Sequence, residues 1–396
     1  MKKRNLLSVL SLVLVSVMLA SCGAPASPTA APATAMPATS MPAMTAAPAP
    51  TLNAMDTLLA ACKTEGALTI IATPPDWANY GEIFDLFKNE TGVTLNSLDP
   101  NAGSADEIAA IEANKGNKGP QAPDVVDVGY SFGDTAKAAG DLQAYKVSNW
   151  DKIPDKILGV TSKDPDGFWT AGYFGVMTFE VNTSVVKNVP ADWSDLLKPD
   201  YKGQVALSGD PRTSNQAIQA VYAAALASGG SLDNAQAGLD FFAKLNKAGN
   251  FVPVIAKTAS IAQGETPIKL AWDYNAFADK TTLAGNPPIT IVYPKTSIAG
   301  SYVQGISAYA PHPNCAKVWM ELLHSDAGQL AWMKGAAHGA NQADMESRNA
   351  IPAADAATIP PSSTFANTAQ PTSAQSAAAK TLITTNWDTV VGANVK

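Results

Sequence analysis

Cysteine, histidine and charge are all scarce in this chain. Three cysteines are too few for the dense disulfide framework of a small secreted scaffold. The three histidines, His312, His324 and His338, lie in one C-terminal stretch, and none follows a predicted strand. A serine triad would need one of them to reach a distant loop. Neither a Gly-x-Ser-x-Gly elbow nor a His-Glu-x-x-His zinc motif occurs, so hydrolytic chemistry has no visible nucleophile or metal. Charged residues make up 15% of the chain, and 27 Lys and Arg face 34 Asp and Glu. A net charge of −7 denies the basic face that nucleic acid or an anionic lipid surface needs. The apolar run at 6–20 is shorter than the ~20 residues of a spanning helix.

That run carries information of another kind. Lys2, Lys3 and Arg4 precede it and Leu19-Ala20-Ser21-Cys22 closes it, the order of a secretory signal over 1–21. A small-residue cleavage site directly before a cysteine resembles a bacterial lipobox. The resemblance implies that Cys22 becomes the mature N-terminus and carries lipid, with more than one acyl chain for firm anchoring. Residues 23–51 are almost entirely Ala, Pro, Thr, Ser and Met, with no charge and no aromatic ring. Such a segment cannot offset its ordering entropy, and its prolines make it an extended tether over 22–51. The expectation is an exported protein, lipid-anchored to the cell membrane and facing the exterior or periplasm.

Roughly 345 residues remain, too many for one ordinary core, which suggests two domains. Apolar residues recur at helical spacing over 52–63, 81–90 and from Ser104 through Ile111, alternating with short apolar strands at 67–72, 93–98 and 124–128. Strands at 204–208, 268–272 and 289–293 and helices at 214–227, 233–248 and 313–333 repeat that grammar. Strand-helix alternation argues an α/β fold with parallel sheets. Cys62 and Cys315 are left either as a disulfide or as two buried thiols; spacing does not decide.

In open parallel sheets, ligands bind beyond the carboxyl ends of the strands. After the first strand stand Asp76 and Trp77, a carboxylate beside an aromatic ring. After the second, Asp99-Pro100-Asn101-Ala102-Gly103 leads to Ser104 at a helix N-terminus, whose backbone N–H groups suit an anion. After the third come Tyr130 and Ser131. In the second half Asp210, Arg212, Thr213 and Ser214 precede a helix, and Asp273, Tyr274 and Asn275 follow a strand. Ser104 and Ser214 read most simply as N-caps, and Trp77 also suits a core. A carboxylate, phenol and amide at 273–275 are costly if buried without partners, so packing explains them least. Asp164-Pro165-Asp166-Gly167 lacks the later ligands of a calcium loop and reads as a turn.

Five segments carry a family resemblance. They are Ala61-Cys62-Lys63-Thr64-Glu65-Gly66, Pro123-Asp124-Val125-Val126, and Trp193-Ser194-Asp195-Leu196-Leu197 with Pro199, Tyr201, Lys202 and Gly203. Ala310-Pro311-His312-Pro313-Asn314-Cys315-Ala316-Lys317 and Ser325-Asp326-Ala327-Gly328-Gln329 complete them. In this order they resemble the extracellular solute-binding lipoproteins of bacterial ABC importers, in the iron, phosphonate, thiosulfate and polyamine cluster, over about residues 55–345 with a weaker continuation to 387. Cys315 departs from the small apolar residue usual there. The resemblance implies a two-lobed type II periplasmic-binding-protein fold, each lobe a mainly parallel sheet flanked by helices. Residues 52–173 and 304–396 would form lobe 1 and 174–303 lobe 2. Segments 174–182 and 303–310 would cross as a hinge, and the C-terminal helices would pack on the first lobe.

The same resemblance implies no enzyme, no cofactor and no metal centre. It implies a monomer that delivers a small solute to a membrane permease, meets the membrane only through its lipid and binds no nucleic acid. Polyamine relatives hold ammonium groups with carboxylates and rings, a role that suits Asp76, Trp77, Tyr130, Asp273 and Tyr274. Phosphonate relatives use helix N-termini and hydroxyls, which suits Ser104, Ser131, Arg212, Thr213 and Ser214. The favoured solute is therefore a small amine, phosphonate or zwitterion. Iron(III) is the alternative, weakened because Tyr274 has no adjacent tyrosine. A surface-anchored hydrolase using Asp76 and Asp273 as acid and base is the remaining rival.

Overall fold

The computed structural model describes residues 53–396, so the signal, Cys22 and the tether lie outside the described residues. Helix α1 (Ala54–Glu65) starts at Asn53, whose side chain accepts from the Asp56 N–H, and stops at Gly66 in the left-handed region. Strand β1 (Ala67–Ile71), helix α2 (Tyr80–Thr91) and strand β2 (Thr94–Leu98) follow, with β1 and β2 parallel. Then come α3 (Ser104–Ala113), β3 (Val125–Gly129) and α4 (Tyr130–Ala139). Three short strands, β4 (Leu142–Gln143), β5 (Lys156–Ile157) and β6 (Val160–Thr161), lead into β7 (Thr170–Asn182). The Asp164–Gly167 segment is a turn, with Lys137 paired to Asp164 and Asp166 at 2.6 and 2.9 Å.

Strand β7 is 13 residues long and buried throughout. Its first half, to Val176, pairs antiparallel with β11 (Ala299–Ser307). From Met177 onward it pairs with β9 (Ile268–Trp272) on one edge and, from Phe179, with β10 (Ile289–Val292) on the other. One strand thus joins two sets of partners, with no loop between them. Strand β8 (Val205–Leu207) lies parallel to β9, and β3 lies antiparallel to β11, giving the order β3-β11-β7-β9-β8. This sheet is therefore mixed: β8 and β9 are parallel, as are β1 and β2 in a separate two-stranded sheet, whereas the long strands β7 and β11 are antiparallel to their strand neighbours. The expectation of mainly parallel sheets holds only at those outer pairs.

The second half adds α5 (Asn215–Ala227), α6 (Gln236–Lys247), α7 (Thr258–Ala262) and α8 (Asp273–Leu283). The predicted helix at 313–333 divides into α9 (Pro313–Leu323) and α10 (Asp326–Lys334), because Ser325 caps a new start by accepting from the Gly328 N–H. Short pieces β12 (His338–Gly339), α11 (Gln342–Ser347) and α12 (Ala353–Ala356) precede the last helix, α13 (Ser373–Val390). Helix α13 packs on α4, α5 and α6, and its Trp387 lies between Phe242 and Phe251. The last helix thus meets α4, which the resemblance places in lobe 1, and through the burial of Trp387 also reaches α5 and α6.

Cys62 on α1 and Cys315 on α9 form a disulfide with Cα atoms 4.4 Å apart. Glu65 reinforces the joint by accepting from the backbone N–H groups of Asn314 and Cys315, the first turn of α9. An aromatic cluster gathers around Tyr80 and Tyr173. Tyr80 stacks on Trp319, Tyr173 on Tyr302, and Trp332 packs 4.9 Å from Tyr173.

Candidate functional site

The loop after β1 sets the site. Ala72, Ala78 and Asn79 all hold positive φ (58°, 46° and 62°), a conformation that side chains other than glycine adopt at a cost. The bend turns Trp77 inward, where its Nε1 donates to the Tyr173 hydroxyl at 2.6 Å. Tyr173 in turn donates to Asp127 Oδ2 at 2.7 Å, and Gln304 donates to Asp127 Oδ1. Asp127 belongs to β3, and its backbone N–H donates to Glu107 Oε2 on α3 at 2.9 Å.

Asp127 and Glu107 line a cavity of about 420 Å³. Burial raises Asp127 to about 7, against the opposing hydrogen bonds of Tyr173 and Gln304. Glu107 is pushed well above the usual carboxylate range, first by burial and then by the charge of Asp127. Trp77, Ser104 and Tyr302 complete this wall. The Ser104 hydroxyl accepts from the Gly129 N–H at 3.0 Å, tying the start of α3 to the end of β3.

The opposite wall is the start of α5. Asp210, Thr213, Ser214, Asn215, Gln216 and Lys257 line it. The Ser214 side chain caps no backbone group, and the first N–H groups of α5 have no partner within the helix. Lys257 stands at the rim with its ammonium 3.5 Å from Asn101 of the facing wall. Burial of its stem, then the neighbouring Lys269, lowers its pKa. The walls touch: a Cβ on Gly129 would fall 2.1 Å from the Asn215 side chain, so only glycine permits this approach. A second, larger cavity of about 1200 Å³ includes Asp76, Phe277, Tyr293, Lys334 and His338.

Of the predicted site residues, Trp77, Ser104, Asp210, Thr213 and Ser214 meet around the smaller cavity. Asp76 faces the larger one. The others fill different roles. Tyr130 and Ser131 are not loop residues but the buried first turn of α4, and Tyr130 packs edge-on to Trp169. Arg212 turns away to pair with Asp210 at 2.8 Å and with Asp388 at 3.3 Å. Asp273, Tyr274 and Asn275 form the first turn of α8. The Asp273 carboxylate accepts from the N–H groups of Val176 and Tyr274 at 3.0 Å and from the Tyr293 hydroxyl at 3.2 Å, and lies 2.9 Å from His338 Nε2. Its partners are internal, which answers the expected cost of burial without a solute. Tyr274 is fully buried, lodged against Gly175 and edge-on to Trp77 at 5.3 Å. Asn275 donates to Gln216 Oε1 at 2.8 Å and so touches the cavity only through that residue.

Glu107, Asp127, Asn215, Gln216, Lys257 and Tyr302 were not anticipated. A signal existed for Asp127, an acid inside an apolar strand that packing alone does not explain. Tyr302 and Lys257 gave none, because crossing strands and chain separation bring them in. Among the described residues, no three His, Cys, Asp or Glu side chains gather closely enough to hold a metal ion.

A family model of bacterial extracellular solute-binding proteins matches residues 121–360. An uncharacterized protein of Haemophilus influenzae is 28% identical over 245 residues, covering 59% of this chain and 66% of that protein, just under two thirds of its length. A putative 2-aminoethylphosphonate-binding periplasmic protein of Salmonella typhimurium is 26% identical over 264 residues, 63% of this chain and 71% of that protein. Among solved structures, the periplasmic binding protein AfuA of Actinobacillus pleuropneumoniae, with fructose-6-phosphate bound, has a TM-score of 0.61 at 21% identity and covers 83% of this chain and 99% of its own. Iron-bound HitA of Pseudomonas aeruginosa has a TM-score of 0.61 at 16% identity, covering 81% and 99%. A putative spermidine/putrescine transporter protein of Listeria monocytogenes has a TM-score of 0.62 at 14% identity, covering 82% and 99%. At such identities these structures establish a shared type II periplasmic-binding-protein fold and leave the solute open. With the family match spanning more than half of its residues, the chain belongs to the bacterial extracellular solute-binding proteins.

Proposed function

We propose that the protein is the substrate-binding component of an ABC importer and that its solute is a small zwitterion, an amine carrying a phosphonate or similar oxyanion. One observation carries this reading: in the smaller cavity an acidic and aromatic wall faces a helix start with hydroxyls and a lysine, where the carboxylate of Asp210 is paired with Arg212. Glu107 and Asp127, with the rings of Trp77 and Tyr302, suit an ammonium group. The start of α5, with Thr213, Ser214 and Lys257, suits an oxyanion. The Salmonella typhimurium relative, a putative 2-aminoethylphosphonate-binding protein, supports the same class.

In this reading the two walls belong to two lobes, and the β7 and β11 strands are the hinge between them. The solute favours the closed arrangement because only there does it meet both walls. A permease then takes the solute from the closed form, and the protein itself catalyses nothing. Cys22 would carry the lipid that holds it to the membrane, with 22–51 as tether and the domain a monomer. The test is a thermal-shift and calorimetry panel of 2-aminoethylphosphonate, putrescine, inorganic phosphate, fructose-6-phosphate and ferric citrate. The zwitterion should raise the melting temperature most, by ligand linkage. A larger rise with ferric citrate or putrescine would replace this reading, and an unmoved curve for all five would remove it.

A further inference from the structure

We infer that residues 393–396 form a fixed wall of the solute cavity, held in place by Arg212 as a positioning residue, and that this wall slows solute escape. The inference rests on the smaller cavity being the solute site, as proposed above. Val395 and Lys396 line that cavity beside Ile255, Lys257 and Asp210. They lie outside the 121–360 segment matched by the family model.

The segment is anchored at three points. Trp387 Nε1 donates to the Ala393 carbonyl at 2.7 Å, from a fully buried ring. The Ile255 N–H donates to the Lys396 carbonyl at 2.8 Å, and the Lys396 N–H donates to the Pro253 carbonyl at 3.2 Å. Arg212 donates to Asn394 Oδ1 at 3.0 Å and to the Val395 carbonyl at 3.2 Å. Its guanidinium is aimed by Asp210, which accepts from Nε with both oxygens at 2.8 and 3.0 Å and itself lines the cavity. A planar fork with five donors suits this bridging, and a lysine would not reproduce it. Val395 is 2% exposed, so it is packed rather than laid over the surface. Loss of this wall would admit water, raise the local dielectric and weaken every polar contact to the solute.

The experiment compares the full chain with one ending at Gly392 and with Arg212→Ala, each with and without Ser214→Cys as a labelling site inside the cavity. Affinity for 2-aminoethylphosphonate is measured by calorimetry and its off-rate by stopped flow. Iodoacetamide labelling of position 214 is read by peptide mass spectrometry in the absence of solute. The inference expects at least tenfold weaker binding, mostly in the off-rate, and at least fivefold faster labelling in both variants. Should the shortened chain lose its circular-dichroism signal, Arg212→Ala carries the comparison. A lower melting temperature with affinity and labelling unchanged would make the segment merely structural and overturn the inference. If the full chain does not bind 2-aminoethylphosphonate, the zwitterion reading fails by itself. The labelling rate then decides the wall: faster supports it and unchanged removes it.

Discussion

Asp127 and Asp273 stand at comparable places, one in β3 just before α4 and the other at the junction of β9 and α8, and both are buried. Their surroundings differ in one respect. Asp273 is met by two backbone N–H groups, a tyrosine hydroxyl and a histidine, all from within the chain. Asp127 has two side-chain donors and borders a cavity with Glu107 beside it. A saturated carboxylate stabilises a fold, whereas one left short of partners beside empty space is available for a ligand. By this comparison Asp273 is a joint at Val176, the point where β7 changes partners, and Asp127 is the group that the proposed function assigns to the solute.

The largest expected effect separates the two by stability. Asp273→Ala leaves Val176 N–H and His338 buried without a partner, and should cost about 3 kcal/mol in chemical unfolding. A loss below about 1 kcal/mol would end its role as a joint. Next, Asp127→Asn should weaken 2-aminoethylphosphonate binding by about tenfold or more, about 1.4 kcal/mol, while the fold is kept. Unchanged affinity would place the ammonium elsewhere.

The smallest effect is a slope with pH. The folded pKa of Asp127, raised to about 7, lies above its unfolded value of about 3.9. Its contribution to stability is therefore full below about pH 4 and is lost as pH rises through 7. His324, held neutral by burial with its pKa lowered to about 3, works in the opposite sense. Its contribution is intact above about pH 6.5 and is lost as pH falls below it. The difference between the wild type and Asp127→Asn in urea melts from pH 4 to 8 isolates the first slope. Solute affinity of the wild type should fall between pH 7.5 and 6, because an ammonium prefers the ionised carboxylate. A flat profile would mean that the solute does not meet Asp127.

Element types were widely legible because their causes are local. Apolar spacing marked α2 and α9, and Gly66 and Gly92, both in the left-handed region, stop α1 and α2 just beyond the spans 52–63 and 81–90 that the spacing predicts. The second of two adjacent elements was harder to see. Tyr130 stands one glycine after a predicted buried strand and Asp273 directly after one; both read as loop residues, yet each begins a helix at once. Ser104 and Ser214 read most simply as N-caps, and the structure places both on the lining of the smaller cavity because they stand between strand and helix, where the chain exposes backbone N–H groups. Arg212 was misread because a free arginine and one already committed to Asp388 and Asn394 look alike until residues 176 and 182 positions away are brought alongside.

By itself the sequence determined the α/β alternation, several helix starts and stops and the strand ends at which a site was sought, since propensity, capping and apolar period act over a few residues. The tertiary structure alone decided which polar groups were left without internal partners. That depends on long-range packing: His338 reaches Asp273, the C-terminal segment reaches Arg212, and Glu107 and Asp127 are brought together on the border of a cavity.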